Sequence, residues 1–237
     1  MSIALEKEGQ SVVLEDVSWR EYTRLLRVFD DRPGLRLTYD RGRLEIMTLS
    51  AEHEGYGYSI GRLVDALTEE LGLPIMGGGS TTLRRQLKRR GLEPDNCYWI
   101  ENAQRVIPLK DYDLKKHPPP DLALEVDVTR SSLDRMGIYA ALRVPQVWHW
   151  DGQTFTFFGL QQDGEYAPIA APSFASFLTV PELLRFIRMF EGLDVNAVVR
   201  EFRQWLRTQL GQRPTSRSSG NGQGNGESTP TPPPSPG

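Results

Sequence analysis

The chain has 237 residues, a formal net charge of −3 and a pI near 5.7, which is long enough for one well-buried core or two small domains at most. That charge excludes a global basic field, so any contact with nucleic acid has to be local. The single cysteine, Cys97, excludes an intramolecular disulfide and a multi-cysteine zinc site, residues 1–18 lack the apolar run of a signal peptide, and no stretch reaches the ~20 apolar residues of a membrane span, so a cytoplasmic chain with no membrane partner is expected.

Ser18-Trp19-Arg20-Glu21 is a capping-box pattern that opens a helix with Tyr22, Leu25, Leu26 and Phe29 inward, stopped by Pro33-Gly34. Leu35 to Tyr39 and Leu44 to Met47 read as two strands of a hairpin around Asp40-Arg41-Gly42-Arg43. From about Glu54 to Leu71, Ile60, Leu63, Val64, Leu67 and Leu71 have helical spacing. A strand-like run after Pro74 is broken by Gly77-Gly78-Gly79, and Ser80 to Arg85 reads as another strand. The glycines lack the Gly-Lys-Ser/Thr end of a P-loop and predict a turn needing positive φ.

A basic loop follows, with Arg84, Arg85, Lys88, Arg89 and Arg90 as a local site for phosphates, although a basic hairpin tip is equally often plain soluble surface. Glu93-Pro94-Asp95 leads into a strand over Cys97 to Ile100. Ser131-Ser132-Leu133-Asp134 predicts the start of a helix bearing Ile138, Tyr139 and Leu142, ended by Pro145. Strands over Gln146 to Trp150 and Thr154 to Phe158 flank Asp151-Gly152, and helices over about Val180 to Phe190 and Val195 to Leu210 close the fold. Interleaved strands and helices predict an α/β (α+β) domain with a mixed central sheet flanked by helices.

Residues 1–17 are read as an N-terminal segment, 18–212 as one domain with its core at about 35–160, and 213–237 as a disordered Pro/Gly/Ser-rich tail without aromatic or branched apolar residues. The apolar positions after Val180, among them Phe186, Met189, Phe190, Val198, Phe202 and Trp205, either cap the sheet or serve a homodimer.

PPPDLALEVDV, residues 118–128, carries the chemistry. Alternation along an extended chain puts Leu122, Leu124, Val126 and Val128 on one face and Asp121, Ala123, Glu125 and Asp127 on the other. Like charges repel, and a carboxylate out of water needs a partner, so this face either meets a cation or is solvated. His117 and His149 have no spaced partner and are read as non-ligands.

The order of these elements, with SAEHEGYGYSIGRLVDAL, GGGSTTLRRQ, GLEPDNCYWIEN and PPPDLALEVDVTRSSLDRMGIYAALRVPQVWHWDG, resembles the PD-(D/E)XK restriction-endonuclease-like superfamily, and within it the Uma-type family of bacterial endonuclease-like proteins. The resemblance runs from about Leu35 to Leu160 and implies a restriction-endonuclease-like core. It places the Pro-Asp aspartate at Asp95 and the motif acid at Glu125, both as ligands of Mg2+ or Mn2+, acting on DNA phosphodiesters. Where the superfamily has lysine, this chain has Asp127, which cannot stabilise growing negative charge and is assigned as an auxiliary ligand. The cation that related members carry on the following helix corresponds to Arg135, with Arg130 a second candidate. His53, Glu54 and Asp121 are second-line site residues; for Glu54 a first-turn helix charge is the plain alternative.

The implied activity is that of a Mg2+-dependent DNA endonuclease. Its rival, favoured by the missing lysine, is a catalytically silent nuclease-fold module binding DNA or a protein. Acid and base work on a glycosidic bond needs an aromatic-lined sugar cleft, for which only scattered tryptophans argue.

Overall fold

The computed structural model of the chain describes residues 9–30, 32, 34–109, 112–127 and 131–211. The expectations for the tail from Arg213 and for Arg130 lie outside these residues. Two sheets share the work. The first has the order β1-β3-β2-β6-β5, with β1 Ser11–Leu14, β2 Leu35–Asp40, β3 Arg43–Thr48, β5 Leu83–Arg85 and β6 Arg90–Leu92, all neighbours antiparallel. The second has the order β11-β10-β9-β8-β7-β4, with β4 Met76–Gly77, β7 Asn96–Trp99, β8 Leu122–Val126, β9 Gln146–Trp150, β10 Phe155–Leu160 and β11 Tyr166–Pro168. Among the described residues only β8 and β9 run parallel, joined by helix α4, Arg135–Leu142 (helices are numbered in chain order), so the expected mixed sheet is present.

Helix α1, Trp19–Phe29, starts at the Ser18–Glu21 capping box and lays Tyr22, Leu26 and Phe29 on Leu37, Tyr39, Leu44 and Ile46 of the first sheet. Those four positions alternate with Thr38 and Glu45, cross-strand partners on the opposite face. Helix α2, Ala51–Glu70, is capped by Ser50 and packs Ile60, Leu63, Val64 and Leu67 against Leu122, Leu124 and Val126. Helices α5, Val180–Met189, and α6, Val195–Gly211, join the same cluster through Leu183, Phe186, Val198 and Phe202. Met189, Phe190 and Trp205 also pack against it, so the apolar positions proposed for a dimer serve the chain's own core. The other face of the second sheet meets α4, where Ala123 and Val147 pack on Ile138, Tyr139 and Leu142, together with Leu83 and Leu92 of the first sheet. Helix α4 is therefore wedged between the two sheets. The short helix α3, Ala103–Val106, packs Val106 beside buried Cys97 and Trp99.

Three local expectations change. The basic stretch expected as a loop is the β5–β6 hairpin, its strands joined by a 3-10 turn at Gln86–Lys88. The strand expected from Ser80 begins only at Leu83. Helix α4 starts at Arg135 with Asp134 as N-cap, rather than at Ser131, because Glu45 takes the serines: it accepts from the Ser131 and Ser132 hydroxyls and from the Ser132 backbone N–H. Ser11–Leu14, in the segment read as lying before the domain, pair with β3. The glycine triplet behaves as expected, with Gly79 at φ +54. Gly78 also has to be glycine, since an added Cβ would lie 2.6 Å from the Trp99 ring and 2.7 Å from Cys97 Sγ. No helix among the described residues is long and apolar enough to cross a membrane.

Glu45 is 1 % exposed and holds the segment that leads into α4. Replacing Glu45 by Ala leaves those donors without an acceptor and is expected to cost about 1–3 kcal/mol in urea unfolding, whereas Glu45→Gln, which keeps an acceptor, loses less. Equal losses for the two variants would show that the serines do not depend on this side chain.

Candidate active site

Strand β7 runs antiparallel to β8 with Asn96 opposite Leu124, so Asp95, which precedes β7, comes level with the residue after Leu124, Glu125. The sequence expectation that these two acids converge is met. Asp95 Oδ2 accepts the Val126 backbone N–H at 2.7 Å. His53 Nε2, from the first turn of α2, stands 2.9 Å from the same oxygen. Close packing of α2 on β7 brings the imidazole there: Gly61 has no room for a side chain, an added Cβ falling 2.8 Å from the Tyr98 hydroxyl. Burial pushes the His53 pKa down, and burial together with the charge of Glu125 pushes the Asp95 carboxyl well up. Both shifts favour the neutral forms of the two groups over an ion pair.

Glu125 lies on the α4 side of β8, as its alternation with Leu124 and Val126 requires, and is 5 % exposed. At Glu125 the acidic face is therefore not solvated, and the cation that meets this carboxylate belongs to the protein. Arg135 Nε is in ion contact with Glu125 Oε1, and Nη2 donates to Oε2 at 3.0 Å. The same guanidinium donates to Thr38 Oγ1 at 2.6 Å and to the Glu93 carbonyl at 2.9 Å. Tyr139, one turn further along α4, donates its hydroxyl to Glu125 Oε2 at 2.5 Å. Burial opposes the charge on Arg135, yet its acidic neighbours, Glu125 first with Tyr139 and Asp95, together more than offset it and raise the guanidinium pKa. The Tyr139 phenol is raised by burial first and by Glu125 second.

A cleft of about 210 Å3 opens on Asp95 and is lined by Arg36, His53, Glu54, Gly57, Tyr58 and Asn96. Glu54 is half-exposed at its rim, 3.5 Å from Arg36. Asp127 stands at the end of β8 with its carboxylate 3.8 Å from His149 Nε2, a neighbour that raises the imidazole pKa. Asp121 lies at the opposite end of β8, where its oxygens accept from the Ile100 and Asn102 backbone N–H groups and the Asn102 side chain. It shapes the turn after β7. Of the five basic residues, Arg85 donates to the Leu114 carbonyl, and Arg90 is held by Asp40 at 2.8 Å and the Gly137 carbonyl at 2.9 Å. Arg84, Lys88 and Arg89 are exposed and form no ion pair among the described residues.

Sequence reasoning missed Thr38, Tyr139 and Glu93 as partners of this site. Glu93 is partly buried, accepts from Leu37 N–H and the Thr82 hydroxyl, and has its pKa raised by desolvation. A readable signal existed for Tyr139 alone, four residues after Arg135 and thus on the same helical face.

Two measurements check this geometry. Because the native Asp95 carboxyl keeps its proton at pH values where the unfolded chain has lost it, its contribution to stability is complete below the unfolded pKa and disappears as pH rises through the native pKa. Asp95→Asn should therefore flatten the decline in unfolding free energy from about pH 4 upward and exceed wild type at neutral pH; parallel curves for the two proteins would contradict the shift. Arg135→Ala strands Glu125 in the interior and should cost about 3–5 kcal/mol, and adding Glu125→Gln should return a large part of that loss. Additive losses in the double variant would show that the two side chains are not coupled.

A family profile described as "Uma2: putative restriction endonuclease" matches residues 19–196. The crystal structure of a protein described as a putative nuclease belonging to DUF820, from Anabaena variabilis, superposes with a TM-score of 0.49 at 15% identity, covering 70% of this chain and 98% of that one. No curated protein matches the chain.

Proposed function

Because this chain belongs to the Uma2 family of putative restriction endonucleases, we propose that it hydrolyses DNA phosphodiesters with the help of Mg2+ or Mn2+ at the Asp95–Glu125 site. The observation that carries this reading is the placement of two acids from neighbouring strands in one buried setting, beneath a cleft that opens on one of them. The donor chemistry fits a hard divalent cation, which takes carboxylate oxygens, water and substrate phosphate. It fits electrostatically as well, since the proton that Asp95 keeps under the influence of Glu125 is what a cation would replace.

Asp95 and Glu125 would hold the ion, with Asp127 as auxiliary donor on the same strand face and Glu54 across the cleft. When bound, the ion supplies Lewis-acid polarisation of the phosphodiester and a more acidic water. His53 sits behind Asp95 as a neutral base able to take up the proton that Asp95 releases. Arg36, on the cleft wall, is placed to bind a phosphate oxygen of the substrate. Arg135 stays charged and cannot shuttle protons, so its part is electrostatic. In the absence of metal it forks both oxygens of Glu125, so it competes with the ion for that carboxylate.

That fork favours a second reading, a catalytically silent module of the same fold that binds DNA. Among the described residues no cluster of three His, Cys, Asp or Glu side chains is arranged to hold a metal, which is consistent with an arginine-closed site. Incubating the purified chain with supercoiled plasmid and Mg2+ or Mn2+, beside Asp95→Asn and Glu125→Ala, separates the two. The endonuclease reading expects nicking by wild type and losses of 100-fold or more, roughly, in both variants. Mn2+ titration by calorimetry adds a readout independent of turnover, with heat expected from wild type and none from Asp95→Asn. Wild-type cleavage no greater than that of Glu125→Ala under either metal would leave the silent module.

A further inference from the structure

The β5–β6 hairpin ends in a feature that hydrolysis at Asp95 does not use. Leu87, in the turn at its tip, is 99 % exposed, whereas the other large apolar side chains on the surface, Val28, Tyr58, Ile107 and Leu193, are 47 to 60 % exposed. Single exposed leucines need no explanation when they lie flat on a surface. This one stands clear of the protein, and the hairpin carrying it is cationic: Lys88 and Arg89 follow it in the turn and Arg84 precedes it on β5, all exposed and without ion pairs among the described residues.

A second hairpin tip adjoins it. The Arg41 N–H, in the β2–β3 turn, donates to the Arg89 carbonyl at 2.9 Å, which brings the exposed Arg41 side chain to the same end. Asp40, the last residue of β2, is taken by Arg41 at 3.0 Å and Arg90 at 2.8 Å. Arg41 and Arg89 both have φ 48, in the left-handed region that glycine or asparagine occupies at lower cost. Two adjacent turns thus accept backbone strain at positions that carry arginine.

We propose that these paired tips are a DNA-duplex contact in which Arg84, Lys88, Arg89 and Arg41 bind phosphates and Leu87 enters between base steps as a wedge. An apolar side chain ringed by cations suits a duplex, because inserting it unstacks a step and bends the helix toward the protein while the cations neutralise the backbone on either side. The reading rests on DNA as the substrate of the Asp95 site and deepens it. Asp95 lies eight residues after Leu87, at most about 28 Å of chain, or about eight base pairs of duplex, so one helix can touch the wedge and the cleft together.

The test uses the full chain in EDTA, so that binding is read without cleavage, and a short duplex with fluorophores at its ends and 2-aminopurine at a central TA step. Wild type should bind, shorten the end-to-end distance and brighten the 2-aminopurine. Leu87→Ala should weaken binding roughly tenfold and remove both signals without changing the salt slope, while Leu87→Met retains them. Arg84→Ala, Lys88→Ala and Arg89→Ala should each lower the salt slope by about one. Since Leu87 is fully exposed, Leu87→Ala should melt at the wild-type temperature, which separates lost contact from lost fold. Equal affinity and bending for Leu87→Ala and wild type overturns the wedge, as does a Leu87-dependent affinity for anionic lipid vesicles with none for duplex. Failure here is distinguishable from failure of the hydrolytic reading. A chain that nicks plasmid but bends nothing keeps only the hydrolysis, and one that bends duplex through Leu87 but never nicks keeps only the wedge.

Discussion

The architecture depends on one guanidinium kept out of water. Arg135 reaches Glu125 in the second sheet, Thr38 in the first and the Glu93 carbonyl just after β6, so one side chain at the start of α4 ties both sheets to the helix between them. A buried charge of either sign is tolerated only when its partner and its remaining hydrogen-bonding positions are supplied, and here Tyr139 completes the set on the carboxylate. Thr38 and Glu45, on the inner face of the first sheet, supply the supporting acceptors, one for Arg135 and one for the serines that lead into the helix. The Glu125 carboxylate is thus balanced by the protein's own groups, and any cation drawn to it would have to compete with that balance.

The neighbouring acid obeys the opposite logic. Among the described residues Asp95 is in ion contact with no arginine; it sits 2.9 Å from the His53 imidazole and accepts one backbone N–H. Neighbouring carboxylates in a dry site cannot both ionise freely, and here Glu125 is paired with arginine while burial and the Glu125 charge push the Asp95 carboxyl pKa up. Such a division makes the two acids inequivalent toward any incoming cation.

Much of this was legible in the amino-acid sequence. The Ser18–Glu21 capping box, the hairpin turn at Arg41-Gly42 and the spacing of Ile60, Leu63, Val64 and Leu67 specify their elements locally, and each forms as read. Strand alternation correctly sent Glu125 to the face away from Leu124, and the resemblance placed Asp95 level with it. What failed to show was non-local. That Thr38 and Glu93 meet Arg135 depends on the packing of two sheets across a helix, for which no spacing rule exists. The start of α4 was displaced by a tertiary bond, because Glu45, 86 residues before Ser131, removed the serines from their capping role. Asp121 looked like a member of the acidic face but answers to a turn, since alternation fixes direction and says nothing about which donors wait there.

The position of Cys97 has a practical side. Its thiol is fully buried next to Gly78, in the strand that Asp95 leads into, and burial pushes its pKa up to about 12. A thiol that is neither ionised nor accessible reacts with alkylating reagents only after that strand has separated from its neighbours. Since the sequence contains no other cysteine, a single alkylation event counted by mass spectrometry becomes a clock for how often the ground beneath the acid gives way.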